Sequence, residues 1–378
     1  MKPIYLDHAA TTPLRPEVRD AMLPYLDGRF GNPSSAHHFG REARAALESA
    51  RERTAKALGA LPSEIVFTAA GTEADNLAVL GRWRHQQSGA VICSAVEHKA
   101  VLKAALRARA EGAELVVLGV DGEGRVDPAV LDDVLPAMPC IVSVLWGNNE
   151  VGTLQPVDEL AERCVEAGVH FHTDAVQAYG KVRVRVDETP CALLALSAHK
   201  FGGPKGAGLL FVRAGVALEP LVLGGGQEHG LRPGTENVAM AVATATAVEL
   251  ASAEQPHEEV RLASLRDALE QSLLDRIPGA AVNAAGAARL PHVLNLTVPG
   301  VDQEALLVAL DLQGIAVSVA SACQSGAAEP SHVLRAMDRV VEDAASIRLS
   351  VGRTSTEAEI AEAAAAIPEI VGRVRTST

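Results

Sequence analysis

The chain has 378 residues, 48% of them hydrophobic, with a mean hydropathy of +0.13 and a formal net charge of −13. That length accommodates one large domain plus a smaller one with a sizeable core, and the acidic balance excludes a nucleic-acid-binding surface, which needs clustered Lys and Arg. The opening MKPIYLDHAATTPL lacks the basic-then-apolar pattern of a signal peptide, and no apolar run approaches the ~18 residues of a membrane span, so a soluble cytoplasmic protein is expected, with no membrane and no nucleic-acid partner.

In chain order, residues 41–58 carry Ala43, Ala46, Leu47, Ala50 and Ala57 at roughly helical spacing. Strand-like runs follow at 65–68, 90–94, 115–118, 141–145, 169–173 and 192–196. Helical patterns at 74–84, 100–110 and 157–167 separate several of them. Strand and helix alternating at this spacing predict a largely parallel sheet covered on both faces, an α/β fold. In such sheets ligands gather at the carboxyl ends of the strands. A helix at 239–253 leads into the polar SAEQPHEE with Pro256, where a break between domains is predicted. Beyond it come helix 260–276, strand 293–298, helix 303–312, strand 316–319, helix 331–337, strand 347–351 and helix 357–373, a small α+β domain. The expected division is an N-terminal segment 1–15 packing with the small domain, a large domain 16–256 and a small domain 257–378.

The stretch SAHKFGGPKG places His199 and Lys200 between two apolar runs, where an amine has little room to reach water. Upstream, AAGTEADN opens a helix after a strand, and its Gly71-Thr72 start offers free N–H groups and a hydroxyl suited to a phosphate. An ordinary Thr72 N-cap reads the same residues equally well. Asp174 ends the strand of HFHTDAVQ. Its His-x-His-x-Asp spacing suggests a metal, but no partner cluster stands at a fitting distance, and no resident metal is expected. The combination is more specific than its parts. A desolvated lysine is a neutral nucleophile at ordinary pH. Lysine, a distant acid and a phosphate cradle are what pyridoxal phosphate requires.

Five cysteines form no CxxC pair and no close ligand spacing. Cys93, Cys140, Cys164 and Cys191 sit in apolar or helical context and read as small buried hydrophobes. Cys323, in SVASACQSGAAEPS, lies in a run of small and polar residues that reads as an exposed loop.

The ordered motifs YLDHAATTP, FGNPSSAHHFG, TAAGTEADN, EHKAVL, NNEVG, HTDAVQ, SAHKFGGPKG, LRPGTEN, SACQSG and SIRLSVGR span nearly the whole chain. Through them the sequence resembles the cysteine desulfurases of the NifS/IscS type, fold-type-I pyridoxal phosphate enzymes of the class V aminotransferase group. The resemblance implies a large domain with a mainly parallel seven-stranded sheet flanked by helices, a smaller α+β domain and a homodimer. It implies that Lys200 holds the cofactor as a Schiff base and moves protons, and that Asp174 pairs with the ring nitrogen. Gln177 would bond the ring's phenolic oxygen and His98 would stack on the ring. Gly71, Thr72, Ser197 and His199 would hold the phosphate, with Thr235 reaching it from the partner subunit. Asn149 and Arg348 would take the carboxylate of L-cysteine, and Cys323 would accept its sulfur as a persulfide. The sulfur would pass to an acceptor protein, an iron–sulfur scaffold or a tRNA thiolation enzyme, with Cys323 a transient iron–sulfur ligand in the first case. Ala320 and Gln324 depart from the Gly and the Ser or Thr usual in the family. A selenocysteine lyase or an aminotransferase of the same fold is the alternative; it shares Lys200 and Asp174 without needing Cys323.

Overall fold

The computed structural model describes residues 3–319 and 331–377, the last two by backbone only, so Ala320, Cys323 and Gln324 lie outside the described residues. The chain begins with strand β1 (Ile4–Tyr5), then α1 (Pro16–Met22), α2 (His38–Leu58), β2 (Ile65–Thr68), α3 (Gly71–Gln86), β3 (Ala90–Ser94), α4 (Lys99–Ala110) and β4 (Glu114–Leu118). Next come α5 (Leu131–Val134), β5 (Ile141–Ser143), α6 (Val157–Glu166), β6 (Phe171–Asp174), β7 (Leu193–Ser197), β8 (Gly208–Val212) and α7 (Val238–Arg276). The last third holds β9 (Ala281–Val282), β10 (Val293–Pro299), α8 (Gln303–Leu312), β11 (Ile315–Ala316), β12 (Ser318–Val319), α9 (His332–Ala336), β13 (Ala344–Ser350) and α10 (Glu357–Ser377).

Seven strands form one sheet in the order β2-β8-β7-β6-β5-β3-β4. Its pairs are parallel except those of β8, which runs antiparallel to both β2 and β7. Every residue of β2, β3, β5, β6, β7 and β8 is buried, as a sheet with helices on both faces requires, while edge strand β4 has exposed positions. The expected mainly parallel seven-stranded sheet is therefore present. Its six like-directed strands all end on one edge, with Thr68, Ser94, Leu118, Ser143, Asp174 and Ser197 as their last residues.

A second sheet, β12-β13-β10-β9, is antiparallel and carries its own core of Leu, Ile and Val side chains. The N-terminal segment belongs to that side: β1 pairs with β11, and Ile4 and Leu6 are buried in the second core.

Two predicted elements differ from the structure. The predicted helices 239–253 and 260–276 are one, because α7 runs unbroken for 39 residues through Pro256. Pro256 is exposed, so the helix hydrogen bond it forfeits lies on the water-facing side. Burial on either side carries the helix across, with Val248 and Ala251 in the first core and Leu262 and Leu265 in the second. The predicted strand 316–319 is two short strands in different sheets, β11 pairing with β1 and β12 with β13.

Candidate active site

A cavity of about 340 Å³ opens at the strand ends, within the ~300–1,000 Å³ range of small-molecule sites. It is lined by the predicted Gly71, Thr72, His98, Asn149, Asp174, Gln177, Ser197, His199, Lys200 and Arg348. Residues from five separate stretches of the large domain and one strand of the second sheet thus meet in one place.

One wall is the start of α3. Its N-cap is Ala70, in extended conformation and with no side-chain cap, so Thr72 is not the cap residue. The first N–H groups of a 16-residue helix are left for an anion, with the helix dipole adding to the attraction. Gly71 is needed sterically: a Cβ there would sit 2.7 Å from Val176 Cγ2 and 3.3 Å from Ser197 Cβ. Thr72 and Ser197 line the same cavity. His199 contacts Thr11 Oγ1 through Nδ1 at 3.0 Å, and burial lowers its pKa to about 4, so its ring is neutral.

Lys200 ends the short turn that follows β7, and β8 returns antiparallel beside it. Its ammonium donates to the carbonyls of Ala9 at 2.6 Å and Ala10 at 2.8 Å. Burial, and then the field of Arg348, lower its pKa from 10.5 to about 8.

Asp174 lies across the cavity floor at the end of β6, where Oδ1 accepts from Val176 N at 2.9 Å. Burial raises its pKa, and the opposing pull of His98 comes next. Behind it stands Asp75 of α3, fully buried, whose pKa burial and then the charge of Asp174 push far above the usual carboxylate range. The two carboxyl groups share a hydrogen bond, which raises the pKa of Asp75 and works against burial at Asp174, while Oδ1 of Asp75 has no hydrogen-bond partner among the described residues. Oδ1 of Asp75 lies 3.6 Å from Nε2 of His172, whose Nδ1 meets Ser143 Oγ at 2.8 Å, and burial holds His172 neutral with a pKa of about 3. Oxygens of Asp75 and Asp174 and a ring nitrogen of His98 all fall within 4.8 Å of one another. His98 caps α4, with Nδ1 accepting from Ala100 N at 3.2 Å, which leaves the proton of the neutral ring on Nε2. Desolvation in the cleft lowers its pKa despite the pull of Asp174.

Gln177 donates to Ala9 O at 2.8 Å and meets His292 Nε2 through Oε1 at 3.3 Å. Arg348, on β13, donates through Nη1 to Asn149 O at 2.9 Å and through Nη2 to Asp7 Oδ1 at 2.8 Å.

Thr235 is not brought into this cavity; it is exposed on the loop before α7. Cys323 lies outside the described residues. The other four cysteines are free and buried, and burial pushes their thiols up, Cys140 to about 11 and Cys93, Cys164 and Cys191 to about 12. None is a thiolate at neutral pH.

A family model described as aminotransferase class-V matches residues 4–362. The chain is 44% identical to cysteine desulfurase IscS of Dictyoglomus turgidum, over 99% of this chain and 95% of that one. The chain belongs to the cysteine desulfurases of the class-V aminotransferase family. Putative cysteine desulfurase IscS 1 of Bacillus subtilis is 43% identical over 99% of this chain and all 100% of its own. Among solved structures, a NifS-like protein superposes on this desulfurase with a TM-score of 0.91 at 34% identity, covering 98% of this chain and 100% of that one. The NifS-like protein of Rickettsia africae gives 0.87 at 32% identity, covering 98% and 99%. Among the described residues, no helix of the desulfurase is long and apolar enough to cross a membrane.

Proposed function

We propose that this desulfurase takes sulfur from L-cysteine as a persulfide on Cys323, releases L-alanine, and holds pyridoxal phosphate in the 340 Å³ cavity. The observation that carries the reading is a half-buried amine whose pKa is lowered to about 8, sharing one cavity with an uncapped helix N-terminus and a buried acid. These three features fit the aldehyde, phosphate and pyridine nitrogen of that cofactor. When bound, it supplies an aldehyde carbon for an amine to condense with and a ring that takes up negative charge.

Gly71, Thr72, Ser197 and His199 would hold the phosphate, the neutral His199 donating through Nε2 while Nδ1 accepts from Thr11. Asp174, where burial is opposed by His98, the Val176 N–H, Lys200 and a hydrogen bond with Asp75, would pair with the ring nitrogen and fix a proton there. Gln177, held by Ala9 O and lining the cavity, would bond the ring's phenolic oxygen. His98, held by its contact with Ala100 N, would stack on the ring. Lys200, held by the Ala9 and Ala10 carbonyls, would carry a proton to or from the substrate Cα. Arg348 and Asn149 would take the substrate carboxylate.

The thiolate of Cys323 would attack the sulfur of L-cysteine. An S–S bond forms, the substrate's C–S bond breaks with its electron pair left on carbon, and proton uptake there gives alanine. L-Cysteine and one enzyme thiol thus become L-alanine and one enzyme persulfide. The four buried cysteines, protonated at neutral pH, leave that step to Cys323. An active homodimer, with Thr235 reaching the partner's phosphate site, and transfer of the persulfide sulfur to an acceptor protein complete the proposal.

The test is L-alanine and sulfide release from L-cysteine, with mass spectrometry of the peptide carrying Cys323. Wild type should show an added mass of about 32 Da, one sulfur, on that peptide. Cys323→Ala should keep the cofactor's colour and lose both products. Turnover at the wild-type rate without Cys323, or the added sulfur on another cysteine, refutes the assignment.

A further inference from the structure

Arg348 is held more tightly than a residue waiting for substrate needs to be. Its guanidinium has five N–H donors. One on Nη1 goes to Asn149 O at 2.9 Å, and one on Nη2 goes to the carboxylate of Asp7 at 2.8 Å. Nε is buried and has no partner among the described residues. What remains for an incoming carboxylate is the pair of N–H groups left on the two Nη atoms, and their direction is set by Asp7 and Asn149.

Asp7 is itself fixed by its backbone. It forms a parallel bridge with Ser350, two residues beyond Arg348 on the same strand. On either side of it, Ser350 N donates to Leu6 O at 2.7 Å and His8 N donates to Ser350 O at 3.3 Å, while Ala9 N donates to Ser350 Oγ at 2.8 Å. The carboxylate therefore meets Arg348 from a rigid support. Two residues on, the same segment supplies the carbonyls that receive Lys200. The pair is mostly sheltered, with 9% of the Arg348 side chain and 21% of the Asp7 side chain exposed, so it is neither a solvated surface pair nor a fully sealed one.

We propose that Asp7 is a positioning residue for the substrate carboxylate, holding the Arg348 guanidinium so that its free N–H groups point at that carboxylate in the cavity. This rests on the reading above that Arg348 binds the carboxylate of L-cysteine. Asp7 does not touch the substrate. It acts by fixing a long, rotamer-rich side chain before binding, which lowers the ordering cost of the two-point contact.

The experiment uses holoenzyme and two thiol-free probes, L-alanine and L-alaninamide, titrated by the cofactor's absorbance and by calorimetry. They differ only in the carboxylate. Asp7→Ala should weaken L-alanine about tenfold and leave L-alaninamide unchanged, the size expected when a charge-assisted orienting bond is lost. Asp7→Asn, whose amide oxygen still accepts from Nη2, should recover most of that loss. If Asp7→Ala does not fold, Asp7→Ser, too short to reach Arg348, replaces it. Unchanged L-alanine binding in the Ala or Ser variant overturns the proposal, and so does tighter binding, which would make Asp7 a competitor. Equal weakening of both probes overturns it as well, since that marks a purely structural stitch. Arg348→Gln separates the two layers. If it leaves L-alanine binding intact, the carboxylate reading of Arg348 has failed. If it weakens L-alanine while the Asp7 variants do not, only the inference about Asp7 has.

Discussion

Glu97, a carboxyl group sealed from water, lends itself to a thermodynamic test. Its side chain is fully buried beside the cavity floor, between Ser94 and the end of β5. Oε1 accepts from Ser94 Oγ at 2.6 Å and Leu145 N at 2.8 Å, while Oε2 is buried with no partner among the described residues. Burial, against the pull of those hydrogen bonds, raises its pKa from 4.5 to about 8. The folded protein therefore keeps a proton between pH 4.5 and 8 that the unfolded chain has lost, and stability from this group falls as pH rises across that window. At pH 7 the gap is about 2.5 pH units at ~1.4 kcal/mol each, so on the order of 3 kcal/mol of stability is lost relative to pH 4.5. Glu97→Gln removes the proton term. Its amide oxygen still accepts from Leu145 N, and an unpaired amide N–H costs about 1–3 kcal/mol at every pH. The quantity to follow is thus the difference in unfolding free energy between variant and wild type, from urea titrations of cofactor-stripped protein at pH 4.5 to 8. It should shift in the variant's favour by on the order of 3 kcal/mol between pH 4.5 and 7. A difference flat in pH refutes the reasoning, because Glu97 would then be ionised in the folded state at neutral pH.

Because burial lowers Lys200 to about pKa 8, its neutral form grows with pH around that value instead of around 10.5. The rate at which stripped protein recovers the visible band of lysine-bound pyridoxal phosphate should rise through about pH 8, and Lys200→Ala should never recover it. Asp75→Asn keeps a neutral donor toward Asp174 and should retain the cofactor, whereas Asp75→Leu should raise the cofactor's dissociation constant about tenfold or more by removing a hydrogen bond to a charged group; equal retention by both refutes the donor role. Sedimentation at working concentration should give a homodimer, and Thr235→Val should weaken phosphate-dependent cofactor binding; an active monomer refutes the shared site.

The parts of the site legible in the sequence are those that interrupt a local pattern. Lys200 stood out because an amine between two apolar runs has no route to water, and Asp174 because it closes a strand. Gly71 stood out because a glycine opening a helix leaves N–H groups uncovered. Asp75 and Glu97 carry no such mark, and His172 is legible only as part of the His-x-His-x-Asp pattern, although each is a polar group buried near Asp174. A signal existed for two of them. His172 shares a strand face with Asp174, two residues away. Asp75 shares the buried side of its helix with Ala74, Ala78 and Val79, where an acid is out of place. That they meet depends on β6 lying against α3 across the sheet, a long-range fact absent from either segment. The unbroken α7 was hidden for the opposite reason. Pro256 and its polar neighbours are a strong local stop, and what overrides them is apolar burial in two separate cores on either side.

The residues before Pro13 show what such long-range placement achieves. Read alone, LDHAATT is a short polar segment with no chemistry of its own. In the fold its backbone is bonded to β13 beside Arg348, its Asp7 carboxylate holds that guanidinium, and its Ala9 and Ala10 carbonyls hold the Lys200 ammonium. Lys200 belongs to the large sheet and Arg348 to the small one. The groups proposed to act on the two ends of one amino acid, its amine-bearing carbon and its carboxylate, are thus set against the same few residues of backbone. Their separation is then fixed by peptide geometry, which hardly varies, and not only by the packing of one domain on the other. Any shift of the small domain that carries Arg348 must carry Asp7 with it, and through Ala9 and Ala10 it is felt at Lys200.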